Sequence, residues 1–88
     1  MPVVWIPSLM RDLTGGVEKV SVAGATLRQV IRNLNEAYPG VMERLCDEGR
    51  LKPGLAAVVD SRVLGRGLSE QVRDESEIHF LPAISGGT

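Results

Sequence analysis

The chain has 88 residues, 43% apolar and 24% charged, a globular composition with room for one domain and one modest core. With 10 basic and 11 acidic residues its net charge is −1, which argues against nucleic acid or an anionic membrane as the main partner, because both need a concentrated positive field. One histidine and one cysteine exclude most metal sites and nucleophilic triads, and aromatics at 3% leave the core to Val, Leu, Ile and Ala.

The chain opens on Val3-Val4-Trp5-Ile6, a β-branched and aromatic run stopped by Pro7, which predicts a short first strand. The preceding residues lack the basic and small-residue pattern of a secretory leader, and no apolar run reaches the ~18 residues of a membrane span. Leu9 to Leu13 reads as a loop and Gly15-Gly16 as a turn. Val17 to Val22 then alternates as a second strand, with Val20 and Val22 on one face, so the two strands are expected to pair antiparallel. Thr26 with Gln29 forms a capping box, and Leu27, Val30, Ile31 and Leu34 follow at helical spacing until Pro39-Gly40 ends the run. Val41 to Cys46 predicts a short second helix, and Asp47 to Gly54 a polar loop. Leu55 to Val59 has the length and apolarity of a central strand. Val63-Leu64 is a brief return strand, Asp74-Glu75-Ser76 a turn, and Ile78 to Leu81 the last strand, with Ile78 and Phe80 on one face and His79 and Leu81 on the other. The order predicts an α+β fold, a mixed sheet of four to five strands with one main helix packed across it.

Pro82 ends the last strand, and Ala83-Ile84-Ser85-Gly86-Gly87-Thr88 follows. The expected organisation is a folded domain over residues 1–82 and a flexible tail over 83–88. A frayed terminus is one reading of this tail. The other is chemical. Glycine carries the least hindered carboxylate a protein can offer, so a Gly-Gly tail can enter an active site that rejects any Cβ. There the carboxylate can be activated by ATP and captured by a nucleophile.

Three stretches of the chain resemble a known family. They are Ile6 to Gly16, the Thr26-Leu27 helix start, and Asp74 to Gly87, in which a strand runs through Leu81-Pro82-Ala83 into Gly86-Gly87. Nearly the whole chain is similar to the MoaD/ThiS group of ubiquitin-like sulfur carriers, which share the β-grasp fold. The first block and the Leu-Pro-Ala form look most like the branch that feeds cysteine synthesis. The resemblance implies a carrier, not an enzyme, that binds no cofactor. An E1-like adenylyltransferase would use ATP to activate Gly87, and the product would be a thiocarboxylate. Gly86, Ser85 and Ile84 would form the slim approach. Leu81, Pro82 and Ala83, with Trp5, would meet the partner. A pyridoxal-phosphate cysteine synthase is the implied acceptor. Molybdopterin, thiazole and tRNA thiolation remain alternatives, as does a ubiquitin-like modifier conjugated to lysines through Gly87, and a plain interaction domain with an inert tail. Thr88 departs from the family pattern. It is either extraneous or the end of a precursor that a JAMM-type zinc peptidase trims.

The remaining chemistry-bearing residues have plainer readings. Cys46 is unpaired, as expected in a reducing cytoplasm, and reads as a small structural residue whose thiol pKa is raised by Asp47 and Glu48. His79 has no donor at ligand spacing and reads as a strand-surface residue. Trp5 is expected in the core, with an exposed anchor on the other face of the sheet as the alternative. Arg28, Arg32 and Arg44 read as a solvated helix face. Neither Gly15-Gly16 nor Gly65-Arg66-Gly67 has the Lys-Ser/Thr of a phosphate loop.

Overall fold

A computed structural model describes residues 1–64 and 67–82. The chain runs through β1 (Val3–Trp5), a 3-10 turn (Ser8–Met10), β2 (Lys19–Ser21), α1 (Leu27–Ala37) and α2 (Val41–Leu45). It continues through β3 (Cys46–Asp47), β4 (Arg50–Leu51), β5 (Leu55–Val59), β6 (Arg62–Val63) and β7 (Glu77–Pro82). Five strands form a mixed sheet in the order β2-β1-β7-β5-β6. β1 and β7 are parallel and the other neighbours antiparallel. The expected α+β arrangement is therefore the observed one; β7 is the middle strand, and β5, flanked by β7 and β6, is the interior strand its apolar run predicts.

α1 forms where the periodic residues predicted it. Thr26 Oγ1 accepts the Gln29 N–H at 3.2 Å, satisfying one of the free donors of the first turn. The Gln29 side chain reaches back as a capping box requires, but its Oε1 accepts from the Ala25 N–H at 2.9 Å rather than from Thr26. The N–H groups of Leu27 and Arg28 donate to the carbonyls of Glu70 and Leu68, both at 2.9 Å. The segment 67–72 thus straps the start of α1, and it inserts Leu68 and Val72 into the core. That burial was not foreseen, because isolated apolar residues in a polar stretch show no period.

Leu27, Val30, Ile31 and Leu34 are fully buried against Val4, Ile6, Ala57, Val59, Ile78 and Phe80 of the sheet. Close packing at the start of the helix requires glycine at position 24, where a Cβ would stand 2.6 Å from Val30 Cγ2 and 2.8 Å from the Val30 nitrogen. After α1, Asn35 Oδ1 accepts the Gly40 and Met42 N–H groups, which seeds α2 in the absence of a cap of its own. Val41 and Leu45 are buried as predicted, and Met42 partly.

Two expectations need correction. The stretch Asp47–Gly54 is not simply a loop: Cys46 pairs with Leu51 and Asp47 with Arg50 in a small antiparallel ladder. Glu48 and Gly49, at φ 54° and 77°, make the two-residue left-handed turn that joins such strands. Leu51, fully buried, anchors it. The link between β1 and β2 is also more than a glycine turn. Met10, in its 3-10 segment, is wholly buried.

Candidate functional site

β7 has two unlike faces because side chains alternate along a strand. Ile78 and Phe80 are buried towards α1, whereas His79 and Leu81 lie on the face the helix leaves open. The register sets one residue from each strand in a row across that face. Lys19 pairs with Trp5, Trp5 with His79, His79 with Val58, and Val58 with Val63. Leu81 stands one step along β7, 47% exposed, and Val63 ends the row at the sheet edge, 74% exposed.

Trp5 is therefore not a core residue. Val4 in β1 and Ile6 just after it point inward, and alternation sends the indole outward, where it is half-buried among neighbours. His79 stacks on it with ring centroids 5.4 Å apart and planes 6° from parallel. Lys19 Nζ lies 5.2 Å from the indole centroid, within cation–π range. The indole N–H donates to Glu77 Oε1 at 3.3 Å. The ring is held from several directions before any partner arrives. A ring fixed in this way loses little conformational freedom on binding.

Beside the row is a depression of about 500 Å³ lined by Val58, Asp60, Ser61, Glu75, Glu77 and His79. Asp60 and Ser61 occupy the two-residue turn between β5 and β6, both with positive φ, at 51° and 72°. The Asp60 carboxylate ties this turn to the start of β7. Its Oδ2 accepts from Ser76 Oγ at 2.7 Å and its Oδ1 from the Glu77 N–H at 2.9 Å. The Ser76 hydroxyl and the Glu77 amide, with Arg73 nearby, hold the Asp60 carboxyl below its ordinary value of 3.8. Asp60 is thus partly neutralised by Arg73 at 3.8 Å, while Glu75 and Glu77 enter no ion pair among the described residues.

On the helix side, a groove of about 370 Å³ runs between α1, α2 and the β3–β4 turn, lined by Arg28, Arg32, Met42, Cys46, Gly49 and Leu68 among others. Burial raises the Cys46 thiol pKa, outweighing the opposite pull of Arg28 and Lys52. The direction agrees with the reading from sequence, but its cause is desolvation and not Asp47 or Glu48. A thiol raised this way is a weak nucleophile. Of the three arginines read as a solvated face, Arg44 instead clamps α2 to the β1–β2 connection, donating to both Asp12 carboxylate oxygens and to the Leu9 carbonyl. Arg28 donates to the Gly49 carbonyl at 3.3 Å.

The structure brings Trp5 and Leu81 onto one face and carries the chain to Pro82 at the end of the middle strand. Ala83, Ile84, Ser85, Gly86, Gly87 and Thr88 lie outside the described residues, as do Gly65 and Arg66. The acidic margin of Asp60, Glu75 and Glu77 was missed from sequence. Its one local signal is the Asp60-Ser61 turn, and only the strand register places that turn beside Glu77.

A mixed five-stranded sheet with one helix across it and a Gly-Gly sequence beyond its middle strand defines a ubiquitin-like β-grasp domain. The ThiS family profile matches residues 4–87, and the chain belongs to that family. The sulfur carrier protein CysO of Mycobacterium tuberculosis, like that of Mycobacterium bovis, is 39% identical over 90 residues, covering 96% of this chain and 96% of the relative. Among solved structures, the Amycolatopsis orientalis BexX/CysO complex contains a chain with a TM-score of 0.89 and 30% identity, covering 99% of this chain and 100% of that one. Mycobacterium tuberculosis CysO matches with a TM-score of 0.88 and 34% identity, over 96% of this chain and 100% of that one. The small archaeal modifier protein 1 of Methanosarcina acetivorans, at 21% identity and a TM-score of 0.77 over 98% of this chain and 95% of its own, shares the fold.

Proposed function

We propose that this protein is a sulfur carrier that works as a cosubstrate of other enzymes, with its reactive group at Gly87. The observation that carries the reading is the family match. It spans the domain and stops at Gly87, one residue short of Thr88, and the relatives matched end to end are sulfur carriers. In the proposed cycle an E1-like enzyme joins the Gly87 carboxylate to the AMP moiety of ATP and releases pyrophosphate. A sulfide donor then displaces AMP, leaving a thiocarboxylate. The likeness to CysO supports cysteine biosynthesis as the destination, with a pyridoxal-phosphate synthase as acceptor. ATP belongs to the activating enzyme, and the carrier itself binds no cofactor. Thr88 is removed first by a JAMM-type zinc peptidase, because a branched Cβ fits poorly where the channel takes glycine. The unpaired Cys46 suits a cytoplasmic setting. Among the described residues no helix is long and apolar enough to cross a membrane.

The fold alone does not separate a carrier from a modifier, since the archaeal modifier protein shares it. Two experiments do. The Gly87-ended thiocarboxylate, offered as sole sulfur source to the cognate pyridoxal-phosphate synthase with a β-substituted serine, is expected to yield a Gly87–cysteine adduct, from which a peptidase and water release cysteine and the Gly87 carboxylate. A blot of host lysate is expected to show the free chain without a ladder of higher-mass conjugates. No cysteine adduct together with abundant lysine conjugates overturns the carrier reading.

A further inference from the structure

We propose that the groove on the helix side is a self-association site, in which a second copy of this chain docks weakly about a two-fold axis. The proposal does not depend on the carrier reading.

The groove, about 370 Å³, has walls of opposite charge. One wall is α1. Its apolar stripe faces the sheet, which leaves Arg28 and Arg32, one helical turn apart, exposed on the groove side. The other wall is α2 and the β3–β4 turn, which present Glu43 and Glu48, also exposed. Arg28 gives one N–H to the Gly49 carbonyl. Among the described residues no ion pair joins the two walls, and the Arg32, Glu43 and Glu48 side chains enter none at all. Between the walls the floor is apolar, with Met42 and Cys46 half-buried and Leu68 buried.

This division of charge selects the occupant. A uniformly acidic partner would meet Glu43 and Glu48, a uniformly basic one Arg28 and Arg32, and either would bring like charges together. A copy of the groove turned through 180° lays the basic wall of each protomer over the acidic wall of the other, and apolar floor on apolar floor. The same patch then serves both sides, as a two-fold interface requires. A net charge of −1 sets little general repulsion against such a pair. Exposed charges over a floor of a few side chains make a contact at the weak end of interfaces, with a dissociation constant on the order of 0.1 to 1 mM. The groove lies across α1 from the open face of the sheet. Pairing therefore leaves Trp5 and Leu81 uncovered and puts two Gly87 ends on one particle.

The test uses the full chain under reducing conditions, which keep Cys46 from forming a disulfide between copies. Sedimentation equilibrium up to about 1 mM protein is expected to show the 9.5 kDa monomer passing into a dimer, less readily as salt rises. In methyl NMR the Met42 signal is expected to move with protein concentration, and that of Met1, which lines no part of the groove, to stay. Arg32→Glu and Glu43→Lys are each expected to weaken self-association about tenfold or more, because each puts like charges opposite one another twice in a symmetric pair. An equimolar mixture of the two variants is expected to associate again, since the mixed pair sets Glu against Lys at one contact and Arg against Glu at the other. That recovery also shows that both variants are folded. Glu75→Lys, the same charge change outside the groove, is expected to match the parent. A chain monomeric at about 1 mM, association that leaves the Met42 signal in place, or a mixture no better than its components overturns the proposal. The carrier reading is tested separately, by the gain of sulfur at Gly87, and survives each of these results.

Discussion

The two faces of β7 divide the labour of the molecule. On one, Ile78 and Phe80 meet the α1 stripe and hold the fold together. On the other, His79 and Leu81 join Trp5 and Val63 in a row that stabilises little and stays accessible. The same strand leads to the Gly-Gly sequence. The sheet has one face to spare because α1, with Met10, Val41, Leu45, Leu51 and the strap of residues 67–72, completes the core. On the proposed carrier reading, stability and recognition fall to alternate residues of one strand, and each is expected to be alterable with little effect on the other.

The contrast is sharpest with Ile78→Ala, which removes a fully buried side chain from the middle strand. It should lower unfolding free energy by about 2–5 kcal/mol in chemical denaturation. A loss as small as that of an exposed residue would break the division of faces. Gly24→Ala tests the helix side without touching the sheet. The added Cβ meets backbone as well as side chain of Val30, so a loss of about 1–3 kcal/mol is expected. Asp60 belongs to neither face but fixes the register of β7 against the β5–β6 turn. Because folding depresses its carboxyl below 3.8, its contribution is present above that pH and is lost as pH falls through the lower folded value. Denaturation midpoints should therefore hold between pH 7 and 5 and decline below about 4, with Asp60→Asn showing a shallower decline. Asp12, held low by Arg44, adds to the same acid loss in both proteins. The smallest effect on stability is expected from Leu81→Ala, within about 0.5 kcal/mol of the parent. The same variant should impair activation, which separates the two faces directly.

Much of this was legible in the sequence, for local reasons. Leu27, Val30, Ile31 and Leu34 announce a helix by spacing alone, and the Thr26 cap fixes where it starts. The outward position of Trp5 was also encoded. Val4 and Ile6 had to be buried, so alternation left the indole no place in the core, although its size argued for burial. What was not legible depends on contacts between distant segments. Leu68 and Val72 are buried because their segment supplies two carbonyls to the α1 amides, and nothing local marks that. The β3–β4 ladder hid in a polar stretch where only the Glu48-Gly49 turn and the buried Leu51 carry the signal. The acidic margin arises when Asp60 and Glu77, 17 residues apart, are joined by a hydrogen bond. For the tail, sequence and family remain the guide, since residues 83–88 lie outside the described structure.

The central claim is that Gly87 is the group that receives sulfur. Intact mass of the Gly87-ended chain, after incubation with the cognate activating enzyme, ATP and sulfide, measures it most directly. The account predicts a gain of ~16 Da, oxygen replaced by sulfur in an acyl group activated for transfer, and no gain in the Gly87→Ala chain. An unchanged mass for the parent, or an equal gain for Gly87→Ala, contradicts it.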